Sequence, residues 1–254
     1  QEIRGEFDLR NLSFTYPGSH KPALTNINLH IDAGESIAIV GRVGSGKSTL
    51  LKQFTRMVDT NPRQLVLDGR DVLDYPLAQL RRDISQVLQD PFLFGEPLKY
   101  NISYDDPGRE MDLIWDSADA AALRESIMEF PAQMETVVGE RGVTLSGGEK
   151  QRTTLARGLI RGAPVLILDD CFSSVDTETE EHILSRLKAL RHSLTTILVS
   201  HRVSTLRHAD RIVVLDEGEI REVGTHEELL RLNGMYADLE RAQTLGPPGE
   251  AVSA

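Results

Sequence analysis

The sequence has little of what marks several large classes of protein. It contains one cysteine, Cys171, so it cannot form an internal disulfide, and we expect a reducing compartment. No apolar run approaches the roughly 20 residues that a membrane-spanning helix needs. The formal net charge is −11 and no dense basic stretch is present. The composition therefore argues against a nucleic-acid-binding or anionic-membrane-binding surface.

The remaining composition is that of an ordinary globular protein. Hydrophobic residues make up 40% and charged residues 26% of the 254 residues, which is enough to bury a core. The length predicts one large domain or two closely joined ones. Cys171 comes directly after a buried-strand pattern and two aspartates, and its simplest interpretation is a small core residue.

Short apolar strands alternate with helical patterns through most of the chain, which is typical of an α/β fold with a parallel sheet. Near the N-terminus, two segments alternate apolar and polar residues instead, which predicts an antiparallel pair of strands. An Ala-rich pattern predicts one helix from Met111 to Met128. We predict an N-terminal β-subdomain with the first part of the core (1–87), a helical subdomain (88–160), the remainder of the core (161–241) and a flexible tail (242–254).

The stretch GRVGSGKST matches the pattern G-x-x-x-x-G-K-[ST] of a phosphate-binding loop. It follows the buried-strand pattern SIAIV and precedes a helical pattern from Ser48. Its glycines let successive backbone N–H groups point at one anion, and the positive end of the following helix adds to the attraction. We expect Lys47 to reach the β- and γ-phosphates and the Ser48 hydroxyl to bind Mg²⁺. The candidate ATP-binding residues of this loop are Gly41, Arg42, Val43, Gly44, Ser45, Gly46, Lys47, Ser48 and Thr49.

A phosphate loop needs an acid on a neighbouring strand for the metal ion, and the stretch LILDD supplies one. Asp169 ends an apolar run, so its side chain should emerge at the carboxyl edge of the sheet, where ligands of open α/β sheets bind. Taken alone, Asp169 would be read as a turn or helix-capping aspartate. Beside the phosphate loop, the metal-binding interpretation is favoured.

The stretch LSGGEKQR at 145–152 identifies a known family when it is taken with the phosphate loop upstream and LILDD downstream. The sequence resembles the nucleotide-binding domain of an ABC transporter, exporter type, from Glu6 to Ala242. The resemblance implies a P-loop NTPase (RecA-like) parallel-sheet core with an N-terminal antiparallel β-subdomain and an inserted α-helical subdomain. It also implies ATP and Mg²⁺ as ligands.

The resemblance assigns roles to single residues. Tyr16 looks like the aromatic residue that stacks on adenine, although alone it would be read as a strand-end packing residue. Gln89 resembles the glutamine that contacts Mg²⁺ and the transmembrane part. His201 is similar to the switch histidine that contacts the γ-phosphate, although alone it would be read as a core histidine. The implied metal site is then Ser48, Gln89 and Asp169, and the implied catalytic residues are Asp170, His201 and Gln89.

Three further segments of the family pattern imply contacts with other chains. Residues Leu145, Ser146, Gly147, Gly148 and Glu149 resemble the signature motif, which closes over ATP held by a second domain packed head to tail. Residues Ser173, Ser174, Val175 and Asp176 resemble the D-loop. The stretch TVVGERG at 136–142 is similar to a loop that contacts helices of the membrane part in exporters, and its simpler interpretation is a solvated turn.

One residue departs from the family pattern. The residue after the metal-binding aspartate is usually Glu, which polarises the attacking water, and here it is Asp170. Its carboxylate should lie about 1 to 1.5 Å further back, and a misplacement of that size can cost about a hundredfold in rate. We therefore expect this chain's own site to bind ATP well and hydrolyse it slowly.

The combination of a changed base with a retained signature favours the interpretation that this chain is one half of a heterodimeric multidrug- or lipid-type exporter. The partner chain would then carry the competent site. In the signature, Glu149 stands where Gln is common. A homodimer with two slow sites and a non-catalytic, ATP-dependent regulatory module are the alternatives. The resemblance places the domain at the cytoplasmic face of the cell membrane. A DNA-repair or translation ATPase is disfavoured by the acidic charge and the single uninterrupted domain.

Overall fold

The computed structural model describes residues 2–139, 143–189 and 194–245. Its strands, in chain order, are β1 (Phe7–Phe14), β2 (Leu24–Ile31), β3 (Ser36–Val40), β4 (Leu65–Leu67), β5 (Arg70–Asp71), β6 (Ile84–Val87), β7 (Val165–Asp169), β8 (Thr195–Val199), β9 (Arg211–Asp216) and β10 (Glu219–Gly224). Its α-helices are α1 (Lys47–Phe54), α2 (Leu77–Asp83), α3 (Leu98–Ile102), α4 (Met111–Ala120), α5 (Arg124–Glu129), α6 (Gly147–Leu159), α7 (Thr177–Ala189), α8 (Val203–Leu206), α9 (His226–Leu232) and α10 (Met235–Leu245).

The strands form two sheets. The smaller is antiparallel, in the order β2-β1-β4-β5, and the larger has the order β10-β9-β3-β8-β7-β6. In the larger sheet β9, β3, β8, β7 and β6 run parallel, and β10 adds an antiparallel edge to β9. The predicted fold class, a parallel-sheet core with an antiparallel β-sheet and a group of helices, is confirmed.

Both faces of the larger sheet are buried, which explains its continuous apolar runs. In β7, for example, Leu166 and Leu168 pack into one hydrophobic core, and Val165 and Ile167 pack into the other. Helix α1 and the antiparallel sheet fill the second core, while helices α3 to α6 and α7 contribute to the first. This two-sided burial holds the carboxyl ends of the parallel strands at one rigid edge.

Several sequence predictions need correction. The single helix from Met111 to Met128 is two helices, because Ala122 takes a φ of 52° and ends α4 before α5 begins. The helical pattern STLLKQFTRMV predicts a helix from Ser48 to Val58, but helix α1 begins at Lys47 and ends at Phe54. The sequence analysis did not identify β6, which lies beside β7, nor β10 at the opposite edge.

The buried Cys171 belongs to the first hydrophobic core, which confirms its interpretation as a core residue. Burial raises the pKa of its thiol well above the ordinary range. Within the described parts of the chain, no helix is both long and apolar enough to cross a membrane. The predicted boundaries at 87/88, 160/161 and 241/242 remain predictions, and residues 246–254 of the predicted tail lie outside the described residues.

Candidate nucleotide-binding and hydrolysis site

The candidate site lies at the carboxyl edge of the parallel sheet. The phosphate loop follows β3, Asp169 ends β7 and Asp170 follows it, His201 follows β8, and Gln89 follows β6. Because β3, β8, β7 and β6 are consecutive neighbours in the sheet, these segments emerge side by side. The sheet thus brings together residues that are separated by up to 160 positions in the sequence.

The phosphate loop ends in a helix N-terminus that no side chain caps. Gly46 is the N-cap of α1 with a φ of 104°, and a Cβ at this position would lie 2.7 Å from the carbonyl oxygen of Ala23. Both the backbone conformation and this close approach require glycine. The first N–H groups of α1 therefore remain available to an anion, and the helix dipole favours negative charge at the same place.

Lys47 is buried and lies across the loop. Its Nζ donates hydrogen bonds to the carbonyl oxygens of Gly41 and Arg42, at 2.7 and 2.8 Å. Burial lowers the pKa of Lys47, and the charges of Asp169 and Asp170 oppose that shift. Ser48, the next residue, is exposed.

A cleft of about 390 Å³ extends from the phosphate loop to Tyr16. The Tyr16 hydroxyl lies 3.2 Å from Thr49 Oγ1, and the edge of its ring meets Phe14. Lys52 Nζ lies 5.9 Å from the centre of the ring. Tyr16 therefore stands in the cleft that the phosphate loop opens into, as its predicted role requires. Its described contacts also fit the packing interpretation.

Asp170 lies between Gln89 and His201, the other two candidate catalytic residues. Gln89 Nε2 donates to Asp170 Oδ2 at 3.4 Å, and His201 Nε2 lies 3.9 Å from the same oxygen. Burial raises the pKa of Asp170, while His201, Arg202 and Lys47 lower it. Its side chain is 15% exposed and that of His201 is 52% exposed, so the group borders solvent.

The donor set at this edge fits a hard divalent cation. Ser48, Gln89 and Asp169 offer hydroxyl, amide and carboxylate oxygens, the ligand types that Mg²⁺ takes together with phosphate oxygens and water. Burial, followed by the charge of Asp170, raises the pKa of Asp169. A cation here would therefore compete with a proton for Asp169. Among the described residues, no group of three or more His, Cys, Asp and Glu side chains could hold a metal ion.

The signature segment stands apart from the cleft. Ser146 caps α6, its Oγ accepting from the N–H of Glu149 at 3.3 Å, and the Glu149 carboxylate accepts from the Ser146 N–H at 2.7 Å. Leu145 anchors the segment in the core, whereas Ser146 and Gly147 are exposed. Among the described residues that line the cleft, none comes from 145–149. The motif is thus a second helix N-terminus that faces outward.

The signature packs against the predicted D-loop. A Cβ on Gly148 would lie 2.8 Å from the carbonyl oxygen of Ser174, so only glycine allows this approach. The Gln151 carboxamide donates to Ser173 Oγ and accepts from the N–H of Ser174, both at 2.8 Å. Asp176 caps α7 by accepting from the N–H of Thr179 at 2.9 Å.

Arg202, next to His201, holds the other side of the predicted D-loop. Its guanidinium donates to the carbonyl oxygens of Ser173 and Val175, each at 3.0 Å, and to Glu180 at 2.7 Å. Thr205 also donates to the buried Glu180. Gln151, Glu180 and Arg202 were not predicted from the sequence, and only their position near the motifs could have suggested them.

The predicted loop at 136–142 is described up to residue 139, and residues 140–142 lie outside the described residues. Its described part pairs with residues 96–98, and Gly139 packs against Gly95. Exposed apolar side chains lie near this loop. Phe92 and Tyr104 pack on Phe94, whose carbonyl oxygen approaches Gly139, and Val137 and Val143 are also exposed.

Comparisons with known proteins agree with this arrangement. The family model described as ABC transporter matches residues 24–173. The chain is 44% identical over 244 residues to an ATP-dependent lipid A-core flippase of Vibrio cholerae serotype O1, which covers 96% of this chain and 42% of that protein. A protein of the same name from Photobacterium profundum is 44% identical over 243 residues, covering 95% and 41% of the two chains.

Among solved structures, a bacterial Atm1-family ABC exporter with ATP bound matches with a TM-score of 0.91 and 36% identity, over 98% of this chain and 43% of that chain. This chain therefore spans less than half the length of these relatives. The family match, the sequence identity and the shared fold together show that the chain belongs to the ABC transporter family, as an ATP-binding ATPase domain of the exporter type.

Proposed function

We propose that the chain binds ATP with Mg²⁺ in its own cleft and powers export across a membrane. The observation that carries this proposal is the convergence of the phosphate loop, Asp169, Asp170, Gln89 and His201 at one sheet edge. The N–H groups of the loop and Lys47 hold the phosphates, and Tyr16 stacks on the adenine. Ser48, Asp169 and Gln89 would hold Mg²⁺, which screens the phosphate charge during attack.

Hydrolysis at this site is slow because the residue that polarises the attacking water is Asp170 instead of the usual Glu. The Asp170 carboxylate orients the attacking water, with Gln89 and His201 placed around the same oxygen. One methylene fewer than in Glu leaves that oxygen about 1 to 1.5 Å short of the position the water needs. ATP at this site acts mainly as a clamp between two chains.

The signature acts on ATP that is bound to a second chain. Ser146 Oγ accepts from the Glu149 N–H, which leaves its own hydrogen free to donate to a phosphate oxygen. The exposed Ser146 and Gly147 and the positive end of α6 fit an anion that is supplied from outside this chain. The partner's hydrolysis would therefore depend on this segment.

The membrane partner docks beside Gln89 and the loop at 136–142. The exposed Phe92 and Tyr104, at 65% and 56%, adjoin that loop and supply the apolar area that a docked helix would cover. The transmembrane domain would thereby sense Gln89, which reaches Asp170 at 3.4 Å. We propose that the domain lies at the cytoplasmic face of the cell membrane.

The second chain is a different half-transporter, so the assembly is a heterodimer. Two features support unequal ATP sites in the two chains: Asp170 is shorter than the usual Glu, and the signature segment is exposed and capped. A homodimer with two slow sites is the alternative, and intact His201 favours it. A regulatory module that only dimerises on ATP would give no product in a single-turnover assay of the assembled protein.

Ser146→Ala tests the action of the signature on the partner's ATP. We expect turnover of the assembled transporter to fall roughly tenfold to a hundredfold, because a hydrogen bond to a charged phosphate is lost. ATP binding to this chain alone should not change. The measurements are steady-state hydrolysis and nucleotide titration.

Thr225→Ala is the matched control, because Thr225 and Glu228 form the same capping box at α9, away from the cleft. Both variants lose a helix cap worth about 1 kcal/mol of stability. Equal loss of turnover in the two variants, or loss of ATP binding in Ser146→Ala, would refute the proposed role.

A further inference from the structure

The loop that carries His201 is held from outside by the C-terminal helix. Helix α8 begins two residues after His201, and its N-cap residue, Arg202, makes no side-chain capping hydrogen bond. The Gln243 carboxamide on α10 accepts from the N–H of Val203 at 2.9 Å. The same carboxamide donates to the carbonyl oxygen of His201. One side chain thus satisfies a backbone donor and a backbone acceptor on either side of Arg202.

Helix α10 is itself fixed at its other end. The buried Glu222 accepts from the N–H groups of Met235 and Tyr236, and the Tyr236 ring is buried. Because the first turn of α10 is fixed, the second half of the helix can hold the groups that it binds in place. Gln243 lies two turns further along α10, where the loop of His201 passes.

The imidazole of His201, in contrast, has open space around it. It borders a cavity of about 340 Å³ between the phosphate loop and α10, whose wall includes Arg42, Met235 and Leu239. The ring is therefore not fixed by close packing on that side, and its position follows from its backbone. Ser200 Oγ restrains that backbone by accepting from the N–H of Arg202 at 3.1 Å. Gln243 restrains it at the carbonyl oxygen of His201 and the N–H of Val203.

We infer that Gln243 is a positioning residue for His201 and that α10 sets the hydrolytic competence of this chain's site. The inference rests on the proposed function, because it assigns His201 to the γ-phosphate. Displacement of the C-terminal helix would release the carbonyl of His201 and the N–H of Val203 together. His201 Nε2 would then no longer be held at 3.9 Å from Asp170 Oδ2.

The test uses Gln243→Ala and Gln243→Met in the assembled transporter, with the partner's own site silenced by substitution of its base. Met keeps the length of the side chain and removes both hydrogen bonds. We expect kcat to fall roughly threefold to tenfold in both variants, with KM for ATP changed by less than about twofold. Hydrogen exchange at the Val203 amide should accelerate in both.

Thr244→Ala is the matched control, because Thr244 is the adjacent exposed residue on α10 and, within the described chain, its hydroxyl donates to Glu240 of the same helix. It should leave kcat and the Val203 amide unchanged. In a His201→Ala background, Gln243→Ala should lower kcat no further, because coupled residues are not additive.

Three results would overturn the inference: an equal loss of kcat in Thr244→Ala, a full additional loss in the His201→Ala background, or unchanged kcat in both Gln243 variants. Failure of the proposed function is recognised separately. The wild-type assembly would then show no ATP turnover, whatever the exchange rate of the Val203 amide.

Discussion

At the scale of single residues, Asp170 shows two opposing physical effects. Its backbone has a φ of 47°, in the left-handed region, and its N–H donates to the carbonyl oxygen of Val199 at 2.9 Å. Asp and Asn tolerate this region better than longer side chains do. The aspartate therefore suits its backbone conformation, whereas a glutamate would suit the attacking water better. Stability and hydrolysis favour different residues at this position.

Asp170→Glu should raise hydrolysis at this chain's own site. We expect a gain of about tenfold to a hundredfold, because the added methylene moves the carboxylate toward the water. The free energy of unfolding should fall by less than about 1 kcal/mol through backbone strain. Single-turnover hydrolysis is measured in the assembled protein with the partner's base changed to Gln. The measured ATP hydrolysis then comes from this chain's own site. Asp170→Asn is the control, and a rate for Asp170→Glu no higher than the wild-type rate would reject the short-base explanation.

At the scale of elements, α7 connects the hydrolysis site to the signature. Asp176 caps its N-terminus, and Glu180, one turn in, binds Arg202 and Thr205. Through Arg202 and Gln151 the D-loop is bonded on both sides, once to the loop of His201 and once to helix α6. The predicted D-loop is therefore a bridge between the loop of His201 and helix α6.

Glu180→Ala should destabilise the fold much more than the same change one residue later. It leaves the buried Thr205 hydroxyl without its acceptor and removes the carboxylate partner of the 38%-exposed Arg202, which we expect to cost about 2 to 4 kcal/mol of unfolding free energy. Glu181→Ala removes an exposed ion pair to Arg207, worth about 0 to 1 kcal/mol. Urea unfolding of both variants measures the difference. Equal losses would show that the buried pair does not anchor α7.

The sequence predicted the elements whose residues carry their own periodic pattern or motif. Strands β3, β7, β8 and β9 are apolar runs, and the phosphate loop and signature have fixed spacings. Strand β6 was missed because four residues after a helix give too short a pattern, and its partner β7 is 78 residues away at the nearest point. The break at Ala122 was missed because alanine usually continues a helix. Contacts such as those of Gln243 depend on how distant elements meet, and no local pattern encodes them.

At the scale of the whole molecule, two helix ends that can bind phosphate point to different places. The N-terminus of α1 opens into the cleft, and the N-terminus of α6 faces outward with Ser146 and Gly147 exposed. The described cleft includes no residue of the signature. If each end binds ATP, two chains must share the nucleotides. ATP would then favour the assembled state, because it binds that state more tightly than it binds separate chains.

The proposed heterodimer predicts unequal effects of equivalent substitutions in its two chains. Asp170→Asn here should lower steady-state turnover of the assembly by less than about twofold, because this site contributes little when its base lies about 1 Å short. Changing the acid at the corresponding position of the partner to its amide should lower turnover roughly a hundredfold or more. The measurement is ATP hydrolysis by the purified assembly, with mass spectrometry of the intact complex to identify its chains. ATP binding by each variant provides the control, since neither acid is needed to hold the phosphates. A complex that contains only this chain, or a loss of nearly all turnover in Asp170→Asn, would instead support the homodimer with two slow sites.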